Sequence, residues 1–290
     1  MNILITGGTG FIGNELTKKL SLTRHNLIIL HRKKIKNLYK KNKKIKYIKF
    51  DLLKDSLREK KLPKFNVIIH IAGMSSGLNK NQDYLINEQL TYSALCLMNE
   101  NVKKFIHISS QSVYGNPQSL NIKETHHTDP GFSAYSCSKV NSENWLKTIK
   151  KNFNADFFSL RFSGFVEGGG VIKYIKENAE KNLPIELYSK GNVYRDYISI
   201  SDGVNAIIAT LKNKNSNSFI PINIGSGQQC SIKDLALFIR NTINSNSKIK
   251  LIKRNASLGN LTLNITKAQK MLKYKPNDIY KSIEAYIVNK

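Results

Sequence analysis

A phenol and an ammonium stand four residues apart in Tyr135-Ser136-Cys137-Ser138-Lys139, and on a helix that spacing puts both side chains on one face. A fixed positive charge beside a phenol favours the phenolate, so the pair predicts a tyrosine whose pKa falls from about 10 toward neutrality. Such a tyrosine trades protons. Further hydroxyls lie in Ser109-Ser110-Gln111-Ser112-Val113-Tyr114-Gly115, directly behind the apolar run 105–108. A third group, Thr6-Gly7-Gly8-Thr9-Gly10-Phe11-Ile12-Gly13, follows the apolar Ile3-Leu4-Ile5 and precedes Asn14-Glu15-Leu16. A strand, a tight glycine turn and a helix start leave unpaired backbone N–H groups and a positive helix end where a pyrophosphate can sit. The chemistry implied is proton transfer beside a bound dinucleotide.

The elements that must hold these groups follow from the apolar pattern. Short runs at 2–5, 27–30, 45–50, 67–71, 105–108 and 157–161 alternate with longer stretches such as 83–100 and 134–150. Several of the runs are apolar without period-two alternation, as in strands covered on both faces. Crossover helices between parallel strands give an α/β, Rossmann-type doubly wound parallel sheet. In such a sheet the strand C-termini line the ligand crevice, so a hydroxyl at 109–112 and the Tyr135/Lys139 helix can converge on a nicotinamide. After Gly164 the rhythm changes, with Gly168-Gly169-Gly170, a helix-like 171–182 and mixed short elements to the C-terminus. The expected organisation is a dinucleotide-binding domain over 1–165, to which 194–224 returns, and a smaller C-terminal α/β substrate-binding lobe from 166–193 and 225–290. The Lys/Asn/Ser stretch 212–218 reads as a surface loop.

Composition bounds the partners. The 290 residues are 40% hydrophobic, enough for a buried core. The formal charge of +26 would ordinarily raise nucleic acid or an anionic membrane. Yet 39 Lys against 7 Arg, together with 33 Asn, are scattered through nearly every segment, which is the mark of biased codon usage and not of a phosphate-reading surface. Only 33–49 forms a dense basic run, read as a solvated face. No nucleic-acid or membrane partner is expected, although a basic surface can steer an anionic nucleotide substrate. Cys96, Cys137 and Cys230 have no paired or metal-type spacing, which fits a reducing cytoplasm. The histidines are isolated or, as His126-His127, adjacent, so no metal site is expected. No apolar stretch approaches the roughly 18 residues that cross a bilayer.

Nine pieces in order carry a resemblance: the glycine turn, Asp51-Leu52-Leu53, Val67-Ile68-Ile69-His70-Ile71-Ala72-Gly73, Asn87, the run 109–115, Tyr135 with Lys139, Leu160-Arg161-Phe162, Arg195-Asp196-Tyr197-Ile198, and Asn223-Ile224-Gly225-Ser226-Gly227, with Lys267-Ala268, Leu272 and Pro276 beyond. Over essentially its full length the chain resembles the extended short-chain dehydrogenases/reductases, in their nucleotide-sugar epimerase, dehydratase and reductase branch. The resemblance implies that Gly7, Gly10, Phe11, Ile12 and Gly13 form the pyrophosphate turn. It implies that Asp51 and Leu52 flank the adenine and that Ile71, Ala72, Gly73 and Asn87 serve the cofactor cleft. Tyr135 would be the acid/base, Lys139 would hold the nicotinamide ribose, and Ser110, with Ser112 as the second choice, would bond the reacting sugar oxygen. Arg195 matches one of two arginines that grip a nucleotide diphosphate in this branch, and Arg254 lies about where the other belongs. A homodimer built on a helix pair is the common assembly among such proteins.

Three departures refine the expectation. NAD-using relatives usually close the second strand with an acidic residue that accepts the ribose hydroxyls, whereas this chain has His31-Arg32-Lys33-Lys34. Losing the carboxylate and gaining Arg32 favours NADP over NAD. Dehydratases carry an Asp-Glu pair where this chain has Gln111 and Ser112, so elimination of water is disfavoured. Gly164 replaces a common asparagine, which implies an altered sugar pocket. The leading expectation is NADPH-dependent reduction of a nucleotide-linked 4-keto sugar with Tyr135 as general acid. The alternatives are an NAD-dependent C4 epimerase using the same residues and a catalytically silent NADP-binding sensor or scaffold.

Overall fold

Runs of β-branched and aliphatic residues make the central strands. In this computed structural model, which describes residues 1–32, 42–55, 60–75, 84–117, 119–131, 133–213, 216–253 and 259–288, β1 (Asn2–Thr6) buries Ile3, Leu4 and Ile5 completely. Around it stand β2 (Asn26–His31), β3 (Ile45–Lys49), β4 (Val67–His70), β5 (Lys104–Ser110), β7 (Asp156–Phe162) and β12 (Phe219–Ile224). The seven strands form one sheet in the order β12-β7-β5-β4-β1-β2-β3. Pairings β1/β2, β1/β4, β2/β3 and β4/β5 are all parallel. The strand order reverses between β1 and β4, the place where doubly wound sheets open a crevice. β3 is an edge strand, and its Lys46 and Lys49, with Lys43 and Lys44 just before it, are exposed. Such charges discourage edge-to-edge pairing.

Helices α1 (Phe11–Ser21), α2 (Leu85–Leu95) and α3 (Ala134–Lys150) accompany this sheet. The Ser133 side chain accepts the Ser136 N–H at 3.3 Å and caps α3, which sets Tyr135 in the first turn. A core of Leu4, Ile68, Leu90, Ala94, Phe105, Leu146 and Phe157 joins strands β1, β4, β5 and β7 to α2 and α3.

The chain divides into two compact units: Met1–Val113, Thr128–Arg161 and Ile207–Ile222 in the first, and Tyr114–His127, Phe162–Ala206 and Asn223–Lys290 in the second. Helix α5 (Ile200–Leu211) is shared between the two lists. The second unit has a four-stranded sheet in the order β13 (Cys230–Ser231), β10 (Tyr194–Arg195), β15 (Leu261–Leu263), β6 (Ser119–Ile122). Two further pairs, β8 (Gly164–Phe165) with β11 (Tyr197–Ile198) and β9 (Ile185–Leu187) with β14 (Ile249–Leu251), are parallel. Its core, with Val166, Ile172, Ile175, Leu235, Ile239 and Ile283, draws on α4 (Gly170–Glu180), α6 (Ile232–Thr242) and α8 (Ile279–Val288); α7 (Thr266–Leu272) buries Ala268 and Leu272.

These boundaries differ from those read in the sequence. Residues 114–127 belong to the second unit because β6 pairs with β15, Leu261 lying against Ser119. Residues 162–165 and 194–206 join it because β8 pairs with β11 and β10 with β13 and β15. Of the stretch 194–224, only 207–222 returns to the first unit. Strands of two residues leave too short an apolar signature to be assigned from sequence.

Candidate active site

The glycine turn begins where β1 meets β4. Thr6 accepts the Ile71 N–H on its carbonyl at 3.1 Å and the Ala72 N–H on its side-chain oxygen at 3.3 Å. Gly7 has a φ of +70°, and a methyl group there would stand 2.6 Å from the Ala72 nitrogen. Only glycine lets the two backbones approach in this way. Gly10 donates its N–H to the Gly7 carbonyl at 3.0 Å and precedes α1 without a side-chain cap, and the first turn of α1 holds no acidic residue. A methyl group on the buried Gly13 would overlap the Gly7 carbonyl oxygen. The arrangement leaves the helix N-terminus as an anion seat. Gly8 adds a feature missed in the sequence: a methyl there would meet the Ile29 side chain at 2.8 Å, so it lets α1 and β2 close together.

The remaining expected cofactor residues fall around this crevice in part. Phe11 is exposed and Ile12 half-buried at the start of α1. Asp51 holds its side chain in an Asx turn, accepting the Leu53 N–H at 3.1 Å. Leu52 is instead a core residue, 8% exposed. Arg32 stands exposed just after β2. Ile71 and Ala72 are half-buried, and a methyl on Gly73 would lie 3.1 Å from the Asn87 side-chain oxygen and 3.9 Å from the Lys139 nitrogen. The cleft loop and the Tyr/Lys helix therefore meet at Gly73.

Asn87, buried on α2, ties them together. It accepts the Met74 N–H at 2.6 Å and donates to the Met74 carbonyl at 3.2 Å and to the Ser138 hydroxyl at 3.3 Å. Ser138 in turn donates to the Tyr135 carbonyl at 2.8 Å. Ser110 closes β5, accepts the Ser112 N–H at 3.1 Å, and hydrogen-bonds the Tyr135 phenol. Lys139 is buried, donates to the Ile108 carbonyl at 2.9 Å, and lies 5.9 Å from the centre of the Tyr135 ring. Ser110, Tyr135 and Lys139 are thus one cluster.

The titration of this cluster departs from the sequence expectation. Burial raises the Tyr135 pKa, the Ser110 hydrogen bond opposes that, and Tyr84, edge-on at 5.5 Å between ring centroids, adds to it. The nearby Lys139 charge does not outweigh that burial. The ammonium is committed to a carbonyl and is itself pushed down to about 8 by burial, with Glu143 acting against the shift. At neutral pH the site holds a protonated phenol beside a charged lysine. Directly after Ser110, the Gln111 side-chain carbonyl and the Ser112 hydroxyl are buried without partners among the described residues. Unsatisfied oxygens in such a place are available to a ligand.

Sequence reading overlooked the groups behind the cluster. His70 bonds Thr6 at 2.8 Å and Thr91 at 3.2 Å, and burial holds it neutral with a pKa of about 3. Glu143, four residues beyond Lys139, pairs with Arg161 at 2.6 Å. The same four-residue spacing that linked Tyr135 to Lys139 would have found Glu143.

In the second unit, Arg195 on β10 is half-buried, and burial lowers its pKa with Tyr197 opposing. Gly164 is explained here: a methyl group on it would stand 2.7 Å from the Tyr197 ring. Arg254 lies outside the described residues, as do Lys33 and Lys34. Among the described residues no group of three or more His, Cys, Asp or Glu could hold a metal ion, and no helix is long and apolar enough to cross a membrane.

Residues 3–225 match the model of the NAD dependent epimerase/dehydratase family. The chain belongs to this family. It is an enzyme of the extended short-chain dehydrogenase/reductase kind, with the Rossmann-type sheet common to that group. The dTDP-4-dehydro-6-deoxyglucose reductase of Escherichia coli is 30% identical, covering 94% of this chain and 92% of its own length. A putative UDP-glucose 4-epimerase of Methanocaldococcus jannaschii is 29% identical over 94% of this chain and 93% of its own. Among solved structures, the UDP-glucuronic acid 4-epimerase of Bacillus cereus in complex with NAD superimposes with a TM-score of 0.79 at 25% identity, covering 98% of this chain and 97% of that one. The Thermotoga maritima UDP-glucose 4-epimerase with UDP-glucose shares the fold, with a TM-score of 0.82 at 21% identity and coverage of 99% and 97%. The relatives of this chain include reductases, epimerases and UDP-glucuronic acid decarboxylases.

Proposed function

We propose that this enzyme is an NADP(H)-dependent reductase of a nucleotide-linked 4-keto sugar. The reading is carried by the cluster at the end of β5, where Ser110 hydrogen-bonds the Tyr135 phenol and the Lys139 ammonium lies 5.9 Å from its ring, an arrangement that can hand a proton to a carbonyl oxygen as reduction needs. A C4 epimerase must first take a proton from the sugar hydroxyl. The cradle for the cofactor is supported by the glycine turn, where side chains at Gly7 and Gly13 would block the backbone approach, and by the uncapped start of α1. When bound there, the reduced nicotinamide supplies the hydride.

The chain's own residues do the rest. Tyr135 gives its phenolic proton to the carbonyl oxygen as negative charge develops on it, and Ser110 hydrogen-bonds the same oxygen. Lys139, charged below about pH 8, stabilises the phenolate that remains. Arg195 and Arg254 would grip the diphosphate, since a guanidinium matches phosphate oxygens in a bidentate way. Arg32 replaces the usual acidic residue after the second strand and supports NADP over NAD. The same reading expects a cytoplasmic homodimer. The epimerase reading keeps support from the 29% identical relative named as a putative UDP-glucose 4-epimerase.

Purified enzyme with NADPH and a panel of UDP-, dTDP- and GDP-4-keto sugars tests the proposal. One NADPH consumed per sugar reduced is the expected result. Interconversion of C4 epimers without net consumption would establish the epimerase instead, and cofactor binding without turnover the sensor. Tyr135→Phe should abolish turnover and leave NADPH binding within about threefold of wild type.

A further inference from the structure

We propose that Glu143, held by Arg161, is a positioning residue for the reaction: on the face of α3 that carries Tyr135 and Lys139, it is the buried counter-charge to the Lys139 ammonium. The proposal rests on the reading of Tyr135 and Lys139 as the reacting pair. Tyr135, Lys139 and Glu143 follow one another at four-residue steps on α3 and so share the face turned to the sheet. Lys139 is 7% exposed and Glu143 is 1% exposed.

The Glu143 carboxylate is bound from two strands. One oxygen accepts the Ser109 hydroxyl at 2.8 Å, the Ser159 hydroxyl at 2.9 Å and Arg161 Nε at 2.9 Å; the other accepts Arg161 Nη2 at 2.6 Å. Ser109 precedes Ser110 on β5, and Ser159 and Arg161 lie on β7. The same carboxylate therefore locks α3 to the strand that presents Ser110. A buried ion pair adds little net stability over apolar residues of equal volume, so stability alone does not account for a charge pair at this place.

The groups facing Lys139 make Glu143 decisive. From β4 and β5 come His70 and His107, stacked at 5.6 Å. Burial keeps both neutral, so neither supplies a negative charge. From α3 itself come Tyr135, neutral at pH 7, and Glu143. Arg161 on β7 acts through Glu143, to which it is bound. Among the described residues Glu143 is the anion that offsets the burial of the Lys139 ammonium.

The test compares wild type with Glu143→Gln, which keeps the shape and removes the charge. Lys139 is followed by the pH titration of its ε-carbon NMR signal, assigned by its loss in Lys139→Arg, and turnover is followed with NADPH and the reducible 4-keto sugar. The Lys139 midpoint should fall by about one pH unit or more, and the alkaline fall of kcat should move down with it. Glu143→Asp, which restores the charge, should bring the midpoint most of the way back. Because Glu143→Gln removes the carboxylate charge facing the buried Arg161 and can fail to fold, Glu143→Gln/Arg161→Met removes both charges and should still lower the midpoint. An unchanged Lys139 midpoint in every folded variant overturns the proposal, even if melting temperatures drop. Failure of the function itself is separate: wild type that reduces none of the sugars would remove the reductase reading, while the NMR titration would still decide whether Glu143 governs Lys139.

Discussion

The Lys139 ammonium donates to the Ile108 carbonyl at 2.9 Å, so the backbone of β5 two residues before Ser110 anchors the cation one helical turn from Tyr135. Burial pushes this ammonium down to about 8. Turnover should therefore be flat below that pH and fall about tenfold per unit above it, as the charge that supports Tyr135 is lost. Folding disfavours the charged lysine, because its pKa in the folded chain lies below the ordinary 10.5. The penalty is complete below pH 8 and is relieved between about 8 and 10.5. Chemical denaturation should show wild type gaining stability relative to Lys139→Met across that window, and parallel curves would contradict the shift.

Gly13 leaves no room for a side chain against the Gly7 carbonyl. Gly13→Ala must open the turn, at a stability cost of roughly 1–3 kcal/mol. Displacing the N–H groups that face a pyrophosphate should weaken NADPH by about tenfold or more. Fluorescence titration and a thermal melt measure the two effects; wild-type affinity in the variant would remove the turn from the cofactor site.

Arg32 follows β2 and stands in solvent. If it meets a 2′-phosphate, Arg32→Ala loses a charge-assisted contact worth about 1.5–3 kcal/mol, which is roughly ten- to a hundredfold in NADPH affinity. NADH should change by less than about threefold, since the contact is absent. Equal losses for the two cofactors would overturn the preference for NADP.

Asp196 is buried and accepts the Ser226 N–H and hydroxyl, both at 2.7 Å, and the Leu263 N–H at 3.3 Å. A methyl group on Gly225 would overlap its carboxylate, so Gly225→Ala should destabilise the second unit by roughly 1–3 kcal/mol. Burial raises the Asp196 pKa from 3.8 to about 6, with the hydrogen bonds from Ser226, Leu263 and Gly227 opposing. The folded chain holds this proton more tightly than the unfolded one. Stability relative to Asp196→Asn should therefore decline as pH rises from about 4 to 6 and stay level above 6. A difference that instead grows with pH would mean the carboxylate is stabilised as the anion.

Much of the first unit was legible in the residues. The apolar runs gave β1 to β5 and β7 to within two residues at each end, and helix α3 covers Ala134–Lys150 as read from its pattern. The glycine turn and the Tyr135/Lys139 face were also readable, because turn geometry and helical spacing are local properties of the chain. Asn87 and Ser110 were placed by resemblance, and both join the cluster.

Tertiary structure alone decided the rest. The assignment of 114–127 to the second unit depends on β6 finding β15 some 140 residues later, a distance over which no local pattern reports. The direction of the Tyr135 shift depends first on how much protein surrounds the phenol, with the Ser110 hydrogen bond opposing. The sequence determined by itself that a phenol, an ammonium and a glycine turn exist on the right kinds of element. The direction in which the phenol and the ammonium are shifted, and the side chains packed around them, were decided by burial and by contacts between distant strands, since charge is governed by its surroundings in space and not by its neighbours along the chain.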